Sequence, residues 1–161
     1  MQPLTEDQVR STLVNATGDE RAHLAVPMSF VLADWDHLDF LAWQDPAAHG
    51  RGYIVIEQDG AAIGIVVRAA SGARSHSAMC NICHTVQPGN QVALFTARRA
   101  GDAGSHGDSV GTYMCADLGC HENVRLAAPL APSEVRASVD RRIDGTRRRV
   151  ESFVGRVISA V

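Results

Sequence analysis

The chain has 161 residues, of which 45% are hydrophobic and 20% are charged, and its formal net charge is −3. A chain of this length can bury the core of one domain, and the composition is that of an ordinary globular protein. The longest apolar runs, such as residues 63–67, are far too short to cross a membrane, and the N-terminus lacks the basic head and apolar run of a secretory signal. The sequence therefore predicts a single domain, residues 1–161, in the cytoplasm.

Charge is unevenly distributed along the chain. Residues 1–70 carry ten acidic residues and four arginines, residues 71–120 carry three of each, and residues 121–161 carry five acidic residues and eight arginines. The basic C-terminal part suits an acidic protein face or RNA phosphates. A solvated helix face is the other interpretation of these arginines, and the sequence leaves both open.

The N-terminal part predicts two short helices. Thr5 and Gln8 have the spacing of a capping box, and apolar residues recur behind them at helical spacing, which predicts a helix over residues 6–16. Asp34 is placed to cap a second helix that extends to Trp43 and ends at an Asp-Pro pair. Both tryptophans are expected to be core anchors rather than ligand platforms.

The middle of the chain predicts antiparallel β-hairpins. Residues 53–57 and 62–68 are rich in β-branched residues, and a Gln-Asp-Gly turn signal separates them. Residues 91–96 and 110–114 are two further strand candidates. The Gly-rich stretch between them, residues 100–107, is expected to be a loop.

The C-terminal segment, residues 133–160, predicts a long helix. It follows Pro129 and Pro132, and its apolar residues form one stripe at helical spacing. Gly145 lies inside this segment and is expected to break or bend the helix. Together with the N-terminal helices and the hairpins, this segment indicates an α+β fold.

The four cysteines follow the pattern C-x2-C, a gap of 31 residues, then C-x4-C, at Cys80, Cys83, Cys115 and Cys120. In a cytosolic protein a C-x2-C pair serves redox chemistry or binds a metal. A redox motif needs only one pair, whereas four thiolates suit tetrahedral Zn²⁺. The pattern favours a four-cysteine zinc site, and a redox pair or four unrelated thiols are the alternatives.

The surroundings of the cysteines predict a treble-clef zinc finger over residues 79–126. The residues after Cys83 resemble a tight turn, so the first pair would form a knuckle. The second pair fits the same ion if Cys115 ends a strand and Cys120 lies in the first turn of a helix, where free amides and the helix dipole stabilise a thiolate.

The two histidines next to cysteines compete as ligands. His84 and His121 each follow a cysteine directly, and either could replace a sulfur. Because four cysteines already complete a tetrahedral shell, the histidines are expected to lie outside it or at the surface. A catalytic zinc keeps an open position beside a general base, and the sequence has neither H-x-E nor H-E-x-x-H. The sequence therefore predicts a structural zinc and no catalytic residue.

Several motifs carry a family resemblance. The segments "MCNICHTV", "VALFTARRAG" and "GDSVGTYMCADLGC" resemble, in this order, the treble-clef zinc-finger domain of the elongation-factor-G-binding proteins, the family of FusB-type fusidic-acid resistance proteins. The upstream segments "LDFLAWQDP", "YIVIEQDG" and "IGIVVRA" resemble the same domain in short actinobacterial members. The resemblance spans about residues 28–126.

The resemblance implies a non-catalytic protein that binds translation elongation factor G and helps it leave the ribosome. It also implies that the four cysteines hold the family's zinc and that the finger is the main contact with the factor. Neither a membrane nor a small-molecule substrate is expected as a partner. The alternative functions are a ribosome- or RNA-binding zinc protein that uses the arginine-rich C-terminal segment, and a thiol oxidoreductase that uses Cys80 and Cys83.

Four residues are candidates for partner binding. Arg98 and Arg99 follow a predicted strand and should project from the finger, and Tyr113 and Arg125 flank the second cysteine pair. The alternative for each is an ordinary solvated or packed side chain. A denser basic patch follows at Arg141, Arg142, Arg147, Arg148 and Arg149. If this patch faces ribosomal RNA, binding should weaken with salt; if it only pairs with neighbouring acids, it contributes little.

Overall fold

The computed structural model describes residues 1–72, 77–126 and 137–159 of the chain. The strands are β1 (Leu41–Gln44), β2 (Arg51–Gln58), β3 (Ala61–Ala69), β4 (Ala78–Met79), β5 (Val86–Gln87), β6 (Val92–Arg98) and β7 (Ser109–Cys115). The α-helices are α1 (Glu6–Thr12), α2 (Gly18–Ala22), α3 (Met28–Val31), α4 (Gly101–Ser105), α5 (Cys120–Asn123) and α6 (Val139–Ile158). Short 3₁₀ turns span Trp35–His37 and Gly89–Gln91. Within the described ranges, no helix combines the length and the apolar character needed to cross a membrane.

Five strands form one antiparallel sheet in the order β1-β2-β3-β6-β7, and β4 and β5 form a separate hairpin. The predicted hairpin is confirmed as β2 and β3, which pair along their length. Asp59 and Gly60 close it with φ angles of 52° and 77°, the left-handed conformation that a two-residue hairpin turn requires. The predicted strands 91–96 and 110–114 are confirmed as β6 and β7, except that Gln91 lies in the 3₁₀ turn before β6.

The sheet separates two hydrophobic cores, because successive side chains of a strand point to opposite faces. Ile54 and Ile56 of β2 belong to the core that contains the cysteines and Phe153 of α6, which we call the finger-side core. The alternate residues Tyr53 and Val55 pack with α1, and we call this second cluster the N-terminal core. The N-terminal segment, residues 1–40 before β1, therefore covers one face of the sheet, and the cysteine region with α6 covers the other.

Helix α1 begins as predicted. The side chains of Thr5 and Gln8 each accept a hydrogen bond from the backbone amide of the other residue, which completes the capping box. The predicted end at residue 16 is wrong, because Leu13 is extended and forms a parallel bridge with Gly64 of β3. Val14 N donates to Gly64 O at 2.9 Å. Pairing with the sheet thus satisfies backbone groups that another helical turn would have used.

The predicted helix from Asp34 to Trp43 is wrong. Only a 3₁₀ turn forms in its first half, and β1 occupies its second half. Leu41 and Trp43 are both buried in the N-terminal core, and the Trp43 ring stacks on Tyr53 of β2 with ring centroids 4.9 Å apart. Residues two apart share one face of a strand but lie on nearly opposite faces of a helix, so this burial requires a strand. Both tryptophans pack in this core, as expected.

Helix α6 packs its apolar stripe onto the finger-side core through Val150, Phe153 and Val154. Gly145 does not break the helix, since α6 runs through it without interruption, and a bend there stays a prediction. A glycine inside a helix costs only about 1 kcal/mol, and each buried apolar side chain of the stripe contributes about 1.5–3 kcal/mol. Residues 133–136 and residue 160 of the predicted helix lie outside the described residues.

The stretch predicted as a Gly-rich loop contains the short helix α4, so that prediction is wrong. Gly104 allows this helix to lie against the preceding backbone, because a Cβ atom there would come within 1.8 Å of Arg99 O. Ala100 N donates to Val157 O of α6 at 2.8 Å. The stretch therefore packs against the C-terminal end of α6 instead of projecting into solvent.

Candidate metal centre

The four cysteines converge on one point in the finger-side core. Their Sγ atoms all lie within 4.8 Å of one another. The Cys80–Cys120 and Cys83–Cys115 sulfurs are each 3.5 Å apart. Four sulfurs held about 2.3 Å from a central Zn²⁺ would lie about 3.8 Å from one another, so the observed spacing fits a tetrahedral ion. All four cysteines are free and buried.

The first pair lies in a knuckle between β4 and β5. Cys80 Sγ accepts hydrogen bonds from the backbone amides of Ile82 and Cys83 at 3.3 and 3.4 Å. Cys80 N donates to Thr85 O at 3.0 Å, and His84 takes a left-handed conformation with a φ of 56° to close the turn. Amide donors aimed at a sulfur favour its thiolate form. The knuckle is therefore built to hold negatively charged sulfur.

The second pair joins a strand end to a helix start. Cys115 is the last residue of β7 and Cys120 is the first residue of α5, which confirms the predicted geometry. Cys115 Sγ accepts hydrogen bonds from Gln87 Nε2 at 3.1 Å and Asn123 Nδ2 at 3.4 Å. Sequence reasoning missed these two amides, because only the folded finger brings β5 and α5 to the same sulfur.

Each cysteine shifts the pKa of its neighbours in the cluster. Hydrogen bonds with Cys115 and then Cys120 lower the pKa of the Cys83 thiol. Hydrogen bonds with Cys115, Cys80 and Cys83, followed by burial, raise the pKa of Cys120. Four negative sulfurs at this spacing repel one another strongly in a buried site, and a divalent cation between them removes that repulsion. A set of four thiolates is the donor set that structural Zn²⁺ prefers.

Among the described residues, the cluster of possible metal ligands contains the four cysteines and no histidine. Burial, and then the charge of Arg149, lower the pKa of His84. The Nδ1 atom of His121 lies 3.0 Å from the Asp39 carboxylate, and burial, followed by Arg125, lowers its pKa. Both histidines thus lie beside the cluster, and His121 connects α5 to the segment before β1.

Contacts on three sides anchor the finger to the sheet and to α6. Asn81 N in the knuckle donates to Tyr113 O of β7 at 2.8 Å. Arg149 Nε of α6 donates to Ile82 O at 2.6 Å. Leu118 packs so closely on Gly52 of β2 that a Cβ atom at Gly52 would lie 2.5 Å from Leu118 Cδ1. The position of the finger is therefore coupled to the rest of the molecule.

The structure places Arg98 and Arg99 in contacts within the chain. Arg98 Nη2 lies 2.7 Å from the Glu20 carboxylate. Arg99 Nη1 donates to the carbonyl groups of Arg156 and Ser159, at 3.0 and 2.9 Å, and so caps the end of α6. Both side chains bind to neighbouring elements, and their role toward a partner stays a prediction.

Tyr113 and Arg125 lie apart from those two arginines. Tyr113 is half-buried in β7, opposite Leu94 of β6. Arg125 Nη1 lies 2.9 Å from the Asp39 carboxylate, next to α5. Binding of a partner by these two residues also stays a prediction.

A groove of about 540 Å³ lies between α5 and the N-terminal segment. Phe30 and Trp43 line one side, and Leu118 and Arg125 line the other. Large apolar side chains at the edge of this groove and on the adjoining helix α3 are strongly exposed: Met28 by 74%, Val31 by 71% and Leu32 by 77%. The groove combines an apolar floor with charged side chains at its rim.

A knuckle, a strand end and a helix start that bring two pairs of cysteines together define a treble-clef zinc finger, here built onto an antiparallel sheet. A family model described as the FBP C-terminal treble-clef zinc-finger matches residues 8–157, and the chain belongs to this family. The resemblance of the cysteine block is thereby confirmed. Family and site together assign Zn²⁺ as the cofactor.

Solved structures include one with a similar fold, the fusidic acid resistance protein FusC. It is 22% identical to this chain with a TM-score of 0.57, and the match covers 76% of this chain and 53% of FusC. The chain thus spans about half the length of that protein. A comparison with curated proteins finds no match.

Proposed function

We propose that this protein binds translation elongation factor G in the cytoplasm, without catalysis of its own, and promotes release of the factor from the ribosome. The family match over residues 8–157 is the observation that carries this proposal. The motifs of the cysteine block and the FusC-like fold support it. FusC is a fusidic acid resistance protein. By extension, we propose that the present chain protects ribosomes from that drug.

In this proposal the four cysteines are the ligands of one structural Zn²⁺. A shell of four sulfurs leaves no position for water or substrate, so the ion supplies folding energy rather than Lewis-acid chemistry. The finger is anchored to β2, β7 and α6, and the ion therefore sets the position of α5 relative to the N-terminal segment. The ion would therefore affect binding through the shape of the surface between α5 and the N-terminal segment.

The groove beside α5 is the surface best suited to the factor. Contiguous exposed apolar side chains rimmed by polar groups mark protein interfaces, and Leu32 is 77% exposed at this groove. Arg125, one of the predicted partner residues, lies on the rim and pairs with Asp39. Both the finger and the N-terminal segment would then contact the factor. The finger would fix the position of α5, which forms one wall of the groove, relative to the N-terminal segment, which forms the other.

The first test is a calorimetric titration of the zinc-loaded protein with elongation factor G from the same organism, at two salt concentrations. We expect saturable binding that is lost in the double variant Cys115→Ser/Cys120→Ser. Tryptophan fluorescence reports whether the variant keeps the N-terminal core, because Trp35 and Trp43 both pack there. Absence of binding by the wild-type protein at either salt concentration would overturn the proposed function and leave the zinc site unaffected.

Two substitutions then locate the interface. Leu32→Asp places a charge at the groove, and Val86→Asp places the same charge on the knuckle hairpin, where Val86 is 65% exposed. We expect Leu32→Asp to weaken binding about tenfold or more, as loss of an interface anchor does, and Val86→Asp to have little effect. The reverse result would move the interface to the knuckle.

Release from the ribosome is tested separately. Ribosomes stalled with the factor and fusidic acid are mixed with the protein, and dissociation of labelled factor is followed. We expect dissociation to accelerate with the wild-type protein and not with Leu32→Asp. Binding without acceleration would leave a binder of elongation factor G that does not rescue ribosomes.

A further inference from the structure

Most of the arginines of α6 lie on a different side of the helix from its acidic residues. The helix carries six arginines and three acidic residues: Arg141, Arg142, Arg147, Arg148, Arg149, Arg156, Asp140, Asp144 and Glu151. With about 3.6 residues per turn, Arg147 and the three acidic residues lie along one side. The other five arginines lie along the adjacent side, which contains no acidic residue of α6. We call these five residues the arginine stripe.

The ion pairs agree with this separation. Arg147 lies 3.7 Å from Asp144 and 3.8 Å from Glu151. Within residues 1–72, 77–126 and 137–159, no arginine of the stripe lies within ion-pair distance of a carboxylate. Arg141, Arg148 and Arg156 are exposed. Among the described residues, Arg141, Arg148 and Arg156 therefore present positive charge at the surface without a carboxylate partner, whereas the charge of Arg147 is balanced. Two guanidinium nitrogens of Arg142, Nε and Nη2, are buried.

Tertiary contacts hold both parts of the stripe in place. Arg149 Nε donates to Ile82 O, which joins the middle of the stripe to the zinc knuckle. Arg99, from the chain before α4, binds the carbonyl group of Arg156 and adds a sixth cation at the C-terminal end. From Arg141 to Arg156 the helix rises about 22 Å at about 1.5 Å per residue. The result is a linear cationic surface fixed on the finger side of the sheet.

The residues between the arginines indicate the class of partner. Gly145, Ser152 and Gly155 occupy the gaps on this side of α6, and none of them offers the large anchor that protein interfaces use. Planar guanidinium groups match phosphate oxygens well. The surface has no exposed aromatic ring, the side chain on which single-strand binders mainly stack unpaired bases. These features fit the regular phosphate backbone of a duplex better than a protein or a single strand.

The charge of the whole chain favours one orientation on such a partner. Residues 1–70 carry ten acidic residues and only four arginines. They include the N-terminal segment, which covers the face of the sheet opposite to α6. A polyanion would attract the stripe and repel this acidic half.

We propose that the arginine stripe binds the phosphate backbone of a nucleic-acid double helix without reading its sequence, and a short RNA duplex is the probe used below. The stripe is distinct from the groove beside α5, so this inference does not depend on binding to elongation factor G.

Arg147 and Arg148 provide a matched pair of variants. Both are exposed on α6, and Arg147→Gln and Arg148→Gln remove the same charge from adjacent positions. Binding of a short labelled RNA duplex is measured by fluorescence anisotropy over a series of salt concentrations. We expect Arg148→Gln to weaken binding severalfold and to reduce the slope of log K against log salt by about one, as loss of one phosphate contact does. We expect Arg147→Gln to leave the slope unchanged.

Three results would overturn the inference. The first is no binding of the duplex by the wild-type protein at low salt, and the second is an equal loss in both variants. The third is binding of poly-L-glutamate, but not RNA, that depends on Arg148, which would assign the stripe to an acidic protein. The wild-type protein and both variants are also titrated with elongation factor G. Binding of the duplex without binding of the factor would overturn the proposed function alone, and binding of the factor without binding of the duplex would overturn this inference alone.

Discussion

Glu20 is a buried charge that joins three elements of the fold. Its side chain is only 4% exposed, and its carboxylate lies 2.5 Å from Arg68 of β3 and 2.7 Å from Arg98 of β6. Burial opposes its ionisation, but hydrogen bonds from the Thr17 backbone and from Arg68, together with the charge of Arg98, outweigh burial and lower the pKa of Glu20 below its usual 4.5. The ionised carboxylate therefore stabilises the contact between α2 and the sheet.

The lowered pKa of Glu20 predicts a pH dependence of stability. Between the folded and unfolded pKa values the unfolded chain binds more protons, so the contribution of Glu20 is present above pH 4.5 and is lost as the pH falls through the folded pKa. We expect Glu20→Gln to lower the free energy of unfolding at pH 7 by about 1–2 kcal/mol, since both arginines are half-exposed. Urea titrations at pH 7 and at pH values below 4.5 measure the free energies of unfolding of the wild-type protein and of Glu20→Gln. The difference between them should become smaller as the pH falls.

A variant without the two arginines controls for this prediction. In Arg68→Gln/Arg98→Gln the carboxylate of Glu20 has lost its cationic partners but still accepts a hydrogen bond from Thr17 N, so adding Glu20→Gln should destabilise the protein less than it destabilises the wild type. If Glu20→Gln destabilises both backgrounds equally, the arginines do not stabilise the carboxylate.

Residues differ in how much of their role the sequence predicts. The four cysteines are predictable, because one ion needs four sulfurs and their spacing already suggests a knuckle and a strand–helix junction. The partner of Arg98 is not predictable, because Glu20 lies 78 positions away in the chain. A ligand set is defined by its residue types, whereas a single ion pair is defined by the fold around it.

At the scale of elements, two packing contacts determined secondary structure that the local sequence pattern did not predict. The segment from Asp34 to Trp43 fits a helix by spacing, yet β2 offers an open edge on which Leu41 and Trp43 pair with Val55 and Tyr53. The end of α1 follows the same principle, since Leu13 bridges to β3. Open sheet edges compete for backbone groups, and local propensity is too weak to override them.

Gly64 is the point where α1 approaches β3, and Gly64→Ala tests this contact. A Cβ atom at Gly64 would lie 2.5 Å from Thr12 Oγ1 and 2.9 Å from Leu13 Cδ2. Both side chains are held in place, because Thr12 Oγ1 donates to Val9 O and Leu13 is fully buried. We expect the substitution to lower the free energy of unfolding by about 1–3 kcal/mol, measured by urea denaturation.

Gly18→Ala is the matched control for this prediction. Nothing lies within 4 Å of a Cβ atom at Gly18, which is the first residue of α2. A helical Gly→Ala change without a clash stabilises by about 0.4–1 kcal/mol. Opposite signs for the two variants would support the close approach at Gly64, and a neutral Gly64→Ala would contradict it.

At the scale of the whole molecule, the metal centre is part of a core rather than an appendage. The four cysteines belong to the same hydrophobic cluster as Ile54, Ile65 and Phe153. The N-terminal core on the other face of the sheet contains none of them. Loss of the ion should therefore act first on the finger, α6 and the face of the sheet between them.

Zinc removal tests this arrangement. We expect a strong chelator to lower the midpoint of thermal unfolding by about 10 °C or more, because structural zinc supplies several kcal/mol of folding free energy and about 1 kcal/mol shifts the midpoint of a chain of this size by about 2–4 °C. Hydrogen exchange should increase first in β4, β5 and α5, and later in α1. Addition of excess zinc should reverse both changes; an unchanged midpoint would contradict a structural role for the ion.

The sequence by itself determined the features that depend on residue type and short spacing: the four-cysteine centre, the β2–β3 hairpin, the capping box of α1 and the family. Tertiary structure alone decided the features that depend on distant partners: the strand at Leu41–Gln44, the bridge of Leu13 to Gly64, and the ion pairs of Glu20. Covalent geometry and local hydrogen bonds act over a few residues, and a sequence displays them directly. Burial and pairing act between surfaces that only the folded chain brings together.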